Sequence, residues 1–258
     1  MKILVCIKQV PDMESKFKVN GTGDGYDTSD LAWRMNEYDE YAVEQAVQLK
    51  EQLGGEPELT VLSIGPERVK ETLKKALAMG CDKAVQIADE ASGQRDSFAI
   101  AALIARFAKD QGFELIFTGM QSQDRGSAQV GVMVAELLGL PSLTTLVEFA
   151  CVDGTVTGSR ELEGGIKARV SCATPSLVTC QLGLNTPRYP TLPNIMKAKK
   201  KELLAIPVTD LRPETARLQT LSLAPPQKKG SGLILEGDPS TLADQLIQLL
   251  KEKTTVLA

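Results

Sequence analysis

This sequence predicts an α/β fold: a doubly wound, mostly parallel sheet with an antiparallel extension and a C-terminal arm. Three observations carry that expectation. Short apolar runs alternate with stretches of helical period over the first 140 residues, the pattern of strands joined by crossover helices. Past Pro141 the texture turns to paired β runs around Asp153-Gly154, a two-residue hairpin signal. Beyond residue 207 the chain becomes polar and proline-rich, without a period. Residues 1–207 are therefore expected to form one α/β domain carrying a stiff loop at 184–202, and 208–258 an arm ending in a helix.

The elements follow in order. Residues 2–7 are a nearly unbroken apolar run, as a strand covered on both faces requires. From 38 to 50, Tyr38, Tyr41, Ala42, Ala46 and Leu49 recur at helical spacing. A strand at 59–64 follows. Gly65-Pro66-Glu67 then opens a helix, with the proline preset for its first position and Gly80 closing it. Next come a strand at 84–87, a helix from an Asp96 cap to Lys109, a strand at 115–118 and a helix at 128–138. Runs at 146–152 and 155–160 flank the hairpin turn, and 168–173 and 176–180 are expected to extend the sheet as antiparallel strands. Residues 208–230 read as an extended arm. Ser240 is the expected cap of a last helix at 242–251, with Leu242, Leu246, Ile247 and Leu250 on one face. Sequence alone leaves open whether that helix packs on its own domain or on another chain.

At 258 residues, 43% hydrophobic and 24% charged, the chain is long and apolar enough to bury a full core. A net charge of −4 argues against nucleic acid as the main partner, because phosphate backbones call for a broad basic surface. No apolar run approaches the ~20 residues that span a bilayer, and Met1-Lys2-Ile3-Leu4-Val5-Cys6-Ile7 is too short for a signal peptide. Cys6, Cys81, Cys151, Cys172 and Cys180 are odd in number and lack C-x-x-C spacing, so they read as buried thiols of a cytoplasmic protein. There is no histidine, which removes the commonest general base and the commonest metal ligand. Self-contained hydrolytic or metal-dependent catalysis is disfavoured accordingly.

One loop stands where open α/β sheets bind ligands, beyond the carboxyl end of a strand and before a helix. It runs Thr118-Gly119-Met120-Gln121-Ser122-Gln123-Asp124-Arg125-Gly126-Ser127-Ala128-Gln129-Val130-Gly131. Gly126 and Ser127 can turn backbone N–H groups toward a phosphate, Arg125 can add charge, and Asp124 can hydrogen-bond a ribose or a base edge. Neither G-x-G-x-x-G nor G-K-[ST] is present, so a dinucleotide fingerprint and a P-loop are both excluded. A polar turn at the sheet edge is the plainer reading. Lys8-Gln9-Val10-Pro11, after the first strand, is placed to reach the same crevice.

A second segment invites a function. Pro187, Pro190 and Pro193 stiffen the chain on either side of an aliphatic residue, Leu192, between Thr191 and Pro193. A short basic helix capped by Asn194 is expected to follow, with Lys197 to Lys201 suiting its last turn. A preordered loop presenting a hydrophobic knob suits protein docking, since its conformational entropy is already lost. A solvated proline-rich linker is the alternative.

Taken together, these motifs resemble the β subunit of electron transfer flavoprotein. The likeness runs through Val5-Cys6-Ile7-Lys8-Gln9-Val10, Asn36-Glu37-Tyr38-Asp39-Glu40-Tyr41-Ala42-Val43-Glu44 and Ala76-Leu77-Ala78-Met79-Gly80. It continues in the 119–131 loop, Arg160-Glu161-Leu162-Glu163-Gly164-Gly165 and residues 185–201, and is loose in the C-terminal arm. The resemblance implies an electron carrier without catalysis of its own, paired with an α subunit that holds FAD. Electrons would pass from dehydrogenases to a quinone reductase or another acceptor. It also implies AMP in this chain, contacted by Cys6, Asn36, Glu37, Tyr38, Asp39, Ile64, Ser122, Gln123, Asp124, Arg125, Gly126, Ser127, Ala128, Gln129, Val130, Gly131, Val132 and Met133. Tyr38 would lie near the partner's isoalloxazine, or be ordinary helix-face core. Leu192, with Pro193, Ile195 and Met196, would dock dehydrogenases. Glu161 would hold a mobile flavin domain by a salt bridge, or be a solvated hairpin charge.

One branch of the family places a second FAD at the AMP position and bifurcates electrons. Asp124 and Gln129-Val130-Gly131 agree with both branches. Arg125-Gly126-Ser127 replaces the Gly-Asp-Thr run of bifurcating loops, and Met120 stands in place of their arginine, which favours AMP. A stand-alone adenine-nucleotide protein is the reading from another class. The Leu192 loop counts against it, since a nucleotide enzyme has no use for such a knob.

Overall fold

In the computed structural model, which describes residues 1–226, 230 and 232–255, apolar runs and amphipathic segments alternate as the periodicities require. In chain order the elements are β1 (Lys2–Cys6), β2 (Gln9–Pro11), β3 (Trp33–Met35), α1 (Glu37–Gln52), β4 (Glu58–Gly65), α2 (Val69–Met79), β5 (Lys83–Ala88), α3 (Ser97–Ala108) and β6 (Leu115–Gly119). After them come α4 (Val130–Leu138), β7 (Ser142–Val152), β8 (Thr155–Glu161), β9 (Lys167–Ala173), β10 (Ser176–Cys180), α5 (Leu192–Ala198), β11 (Leu203–Pro207) and α6 (Pro239–Lys253).

The main sheet has the order β11-β5-β4-β1-β6-β10-β7-β8-β9. Every pairing from β11 through to β7 is parallel, and only the β7-β8 and β8-β9 pairings are antiparallel. Two apolar clusters sandwich the parallel part. Ile3, Val5, Leu59, Val61 and Phe117 meet α1 and α2 on one face, whereas Leu4, Leu62, Val85 and Ile116 meet α3 and α4 on the other. Alternate residues of each strand thus serve opposite layers, which is why these strands read as unbroken apolar runs. The fold is the predicted doubly wound one.

Several local expectations change. The run 176–180 is a parallel strand between β6 and β7, not an antiparallel extension. All five of its residues are buried, as fits an interior strand. Edge strand β11 has no counterpart among the expected elements, its Leu203 to Pro207 pairing in register with Ala84 to Ala88 of β5. Pro66 lies in a turn before α2, which begins at Val69, because the Val69 N–H is taken by the Pro66 carbonyl at 3.0 Å. Helix α4 starts at Val130, since Ala128 holds left-handed backbone at φ 53° and cannot continue it. Asp238, not Ser240, caps α6, and accepts N–H bonds from Ser240 and Thr241. By contrast, Asp96 caps α3 as expected, accepting the Ala99 N–H. The turn between β7 and β8 has Asp153 and Gly154 at φ 48° and 72°, the paired positive values of a tight hairpin.

The chain divides into two units, Met1–Leu223 and Ala224–Ala258. The first part of the expected arm belongs to the first unit: Asp96 accepts the N–H groups of Arg217 and Leu218, and the Arg217 guanidinium lies 3.6 Å from the Phe98 ring centre. In the second unit, α6 has no buried residue, and its Leu246, Leu249 and Leu250 line a shallow hollow with Leu233 and Leu235. Positions 227–229, 231 and 256–258 of the arm lie outside the described residues. Since the core clusters lie wholly in the first unit, deleting residues from Gly230 onward is expected to leave it folded. A cooperative urea transition in the truncated chain checks this, and its loss would show that the second unit completes the core.

Candidate functional site

From β1 the sheet grows one way through β4 and β5, then resumes on the other side of β1 with β6. The crevice between the carboxyl ends of β1 and β6 is a topological switch point, the place where open α/β sheets take ligands. Lys8 follows the end of β1, Gly119 ends β6, and α1 begins beside both.

Asp39 joins these pieces. It is 5% exposed, and its Oδ2 accepts the Lys8 N–H at 2.6 Å while Oδ1 accepts the Gly119 N–H at 3.1 Å. Burial pushes its carboxyl up to about 7, against the opposing pull of the Lys8 N–H, Asn36 and the Gly119 N–H. Gly119 has to be glycine, because a Cβ there would overlap the Asp39 carboxylate and sit 2.7 Å from Tyr38 Cβ. Asn36 occupies the cap position of α1 but makes no side-chain cap bond. Instead its Nδ2 donates to the Gln121 carbonyl at 2.8 Å and its Oδ1 accepts the Gln123 N–H at 3.0 Å. Gln123 Nε2 donates to Glu37 at 2.7 Å, and Gln121 Nε2 to the Tyr38 hydroxyl at 3.2 Å.

The front of the predicted ligand loop is thus pinned to the start of α1. Further on, Lys8 Nζ donates to both oxygens of Asp124 at 2.6 Å and to Ser122 Oγ at 3.3 Å. Arg125 turns away from the crevice mouth, donating through Nη1 to the Arg95 carbonyl at 2.7 Å and through Nη2 to that of Gly93. Ser127 Oγ meets Ser97 Oγ at 3.2 Å. So Asp124 and Arg125, expected to face a ligand, are engaged within the protein.

What remains available is backbone. Residues 125–129 are exposed, and among the described residues the N–H groups of 127–132 have no partner. Left-handed backbone at Gly126 and Ala128 bends the chain just before α4, and Gly131 lets that helix press on the sheet, where a Cβ would lie 2.6 Å from Thr118 Oγ1. Unpaired N–H donors at a helix start fit a phosphate. Gln123 Oε1, buried without a partner, is an acceptor in the same loop.

The remaining predicted residues separate into groups. Cys6, Ile64, Val130 and Met133 lie in one apolar cluster beneath the crevice, while Val132 is exposed. Burial drives the Cys6 thiol well above its ordinary range, with Asp39 adding to the shift, so it packs as an unreactive residue. The sequence places Lys8, Gly119 and Gln121 in the two loops at the crevice but not among the expected ligand contacts. The available signal was a lysine directly after a buried strand.

Far from the crevice, Leu192 lies in the first turn of α5, and Thr191, not Asn194, is its cap, accepting the Asn194 N–H at 3.4 Å. The three prolines leave the helix free to start earlier than expected, because Pro193 sits within its first turn, where no N–H is needed. Leu192 is 78% exposed, and Ile195 and Met196 are exposed on the same side at helical spacing. The loop's base is clamped: Arg188 donates to Glu44 and Glu51, and Asn185 Nδ2 donates to the Tyr41 carbonyl at 3.1 Å. Glu161 is exposed at the end of β8, in register with Lys167, and forms no ion pair among the described residues.

Fold and crevice together define a doubly wound α/β protein with a loop of unpartnered backbone N–H groups at its switch point, among the described residues. The model of the electron transfer flavoprotein domain matches residues 25–211. Over 100% of both chains, the sequence is 39% identical to electron transfer flavoprotein subunit beta of Bacillus subtilis. It is 37% identical to the subunit beta of Bradyrhizobium diazoefficiens, again over 100% of both, and 32% identical to that of Methylophilus methylotrophus over 98% of both. This chain belongs to the electron transfer flavoprotein subunit beta family. It is accordingly a subunit of a flavoprotein electron carrier, and the designation beta implies an alpha partner. No helix among the described residues is long and apolar enough to cross a membrane.

Asp39 generates a pH-dependent prediction. Its folded value of about 7 lies above the ordinary 3.8, so the unfolded chain ionises first. Stability from the neutral carboxyl is full below about pH 4 and lost as pH rises through about 7. Relative to Asp39→Asn, the wild-type chain should lose up to a few kcal/mol across that window. Paired urea titrations between pH 4 and 8 check the difference, and a gap that is constant or widens with pH would show that the N–H bonds outweigh burial.

Proposed function

We propose that this chain binds one AMP as a structural ligand and holds no redox flavin of its own. It pairs with an α subunit that carries FAD, and docks dehydrogenases through Leu192. The observation that carries the AMP reading is the set of unpartnered N–H groups at 127–132, on a loop whose preceding residues are pinned by Asn36, Asp39 and Lys8. In this reading the phosphate takes the loop N–H groups, and the nucleoside lies over Cys6, Ile64 and Met133. The flavin of the partner supplies the redox chemistry when bound. Tyr38, half-buried at the start of α1, is the residue offered to its ring system, and the exposed carboxylate of Glu161 is free to hold the flavin domain by a salt bridge. Electrons arriving from a dehydrogenase leave to a quinone reductase or another acceptor.

AMP content is the direct test. The purified chain is expected to be colourless and to release about one AMP per chain on denaturation, as suits a loop with one anion cradle. Stoichiometric FAD in this chain would overturn the reading in favour of a bifurcating one.

The docking role rests on Tyr189, Leu192 and Met196, which are 91%, 78% and 60% exposed on a loop whose base is clamped by Arg188. Burying one leucine in a partner pocket is worth roughly 1.5–3 kcal/mol, or about 10- to 100-fold in affinity. Leu192→Ala should therefore weaken reduction by the cognate dehydrogenase to that extent, leaving flavin content and assembly unchanged. Stopped-flow reduction beside a thermal melt decides it: a large fall in melting temperature with normal docking would make Leu192 a core residue. The unburied helix α6 is proposed to pack on the α subunit, so truncation from Gly230 should weaken heterodimer formation. Unchanged dimer affinity on analytical centrifugation would show that it packs at home.

A further inference from the structure

One contact at the crevice is not accounted for by a ligand-binding role of its members. Asp124 immediately precedes the exposed cradle at 125–129, and its side chain is only 7% exposed. A lone carboxylate at that place would repel a phosphate and would itself be costly to bury. The Lys8 ammonium meets both of its oxygens at 2.6 Å, and among the described residues no other cation pairs with it. Arg125, next in sequence, is turned to the carbonyls of Gly93 and Arg95.

Lys8 is held for this purpose from both sides of its peptide. Its N–H is fixed by Asp39 at 2.6 Å, and its carbonyl accepts the Asn36 N–H at 2.9 Å. The side chain therefore leaves a rigid backbone at the end of β1 and crosses the crevice to Ser122 and Asp124. Asp39 and Glu37 are the other acids nearby, but Asp39 faces the two backbone N–H groups and Glu37 faces Gln123. Neither occupies the ammonium.

We propose that Lys8 is a positioning residue of the nucleotide site: it cancels the charge of Asp124 and latches residues 122–124, so that the cradle accepts an anion. This rests on the AMP reading given above. Asp124 then acts through Lys8 and is not itself a contact to the ribose. Removing the ammonium exposes the carboxylate to the phosphate, whereas removing both charges leaves a neutral latch of similar shape.

The test uses the full chain co-expressed with an α subunit of the family, as wild type, Lys8→Met, and the double variant Lys8→Met with Asp124→Asn. AMP released on denaturation is counted, and stripped samples are titrated by calorimetry with AMP and with adenosine, which lacks the charge. Lys8→Met should bind AMP about tenfold or more weakly yet adenosine within about threefold of wild type. The double variant should recover AMP affinity to within about threefold. Equal loss of AMP and adenosine, unchanged AMP binding in Lys8→Met, or no recovery in the double variant would each overturn the role of Lys8. A wild-type sample that neither carries nor binds AMP would overturn the nucleotide reading, and this proposal with it, a result separate from the other three.

Discussion

The carboxylate of Asp39 bridges the ends of β1 and β6 through two backbone N–H groups, and most of the site depends on that bridge. Cys6 and Thr118 are the last partners of the β1–β6 ladder, and just beyond them the N–H groups of Lys8 and Gly119 turn to Asp39. A buried side-chain acceptor satisfies both, at the cost of desolvating a carboxylate. The cost shows in the raised Asp39 value, and the benefit in a crevice of set width with Lys8 on one lip and Gly119 on the other. Gly119 is bound to this arrangement, because any side chain would occupy the volume that the carboxylate uses.

Helix α1 carries the consequences to two distant places. Its start holds Asn36, Glu37 and Tyr38 against the 119–131 loop, while Glu44 and Glu51 on its later turns receive Arg188. Glu44 is 3% exposed, and Glu51 and Glu44 together hold the Arg188 guanidinium well above its ordinary value. That bidentate clamp is of the strong kind, charge-assisted at both ends. It lets the loop at 184–190 lie still while α5 presents Leu192, Ile195 and Met196 to solvent. Lys201 closes the other side by donating to the carbonyls of Leu77 and Cys81 at the end of α2. One helix thus braces both the crevice and the loop that carries Leu192.

Local expectations failed where two residues of similar chemistry compete for one role. Asn194 and Thr191 are both good caps, as are Ser240 and Asp238, and in each case the earlier residue wins. A proline is tolerated within the first turn, so neither Pro193 nor Pro239 delays the helix. Strand β10 departs from the antiparallel expectation for another reason. Its sequence neighbours are antiparallel, but its own buried pattern on both faces belongs to the sheet interior. Edge strand β11 follows the basic segment after α5, where nothing local separates a short strand from a loop.

The alternation of periods by itself determined the doubly wound class, the hairpin at Asp153-Gly154 and the Asp96 cap, because each depends on residues within a few positions of one another. It also marked the 119–131 loop and the exposed leucine, since strand ends and proline spacing are legible in one dimension. The roles of individual charges were not. Lys8 and Asp124 lie 116 positions apart, and Arg188 and Glu44 lie 144 apart. A charged side chain reads from sequence only as a charge. Whether it faces a ligand, as expected of Asp124 and Arg125, or is consumed inside the protein depends on which backbone carbonyl or opposite charge the fold brings within 3 Å. Only the tertiary structure decides that.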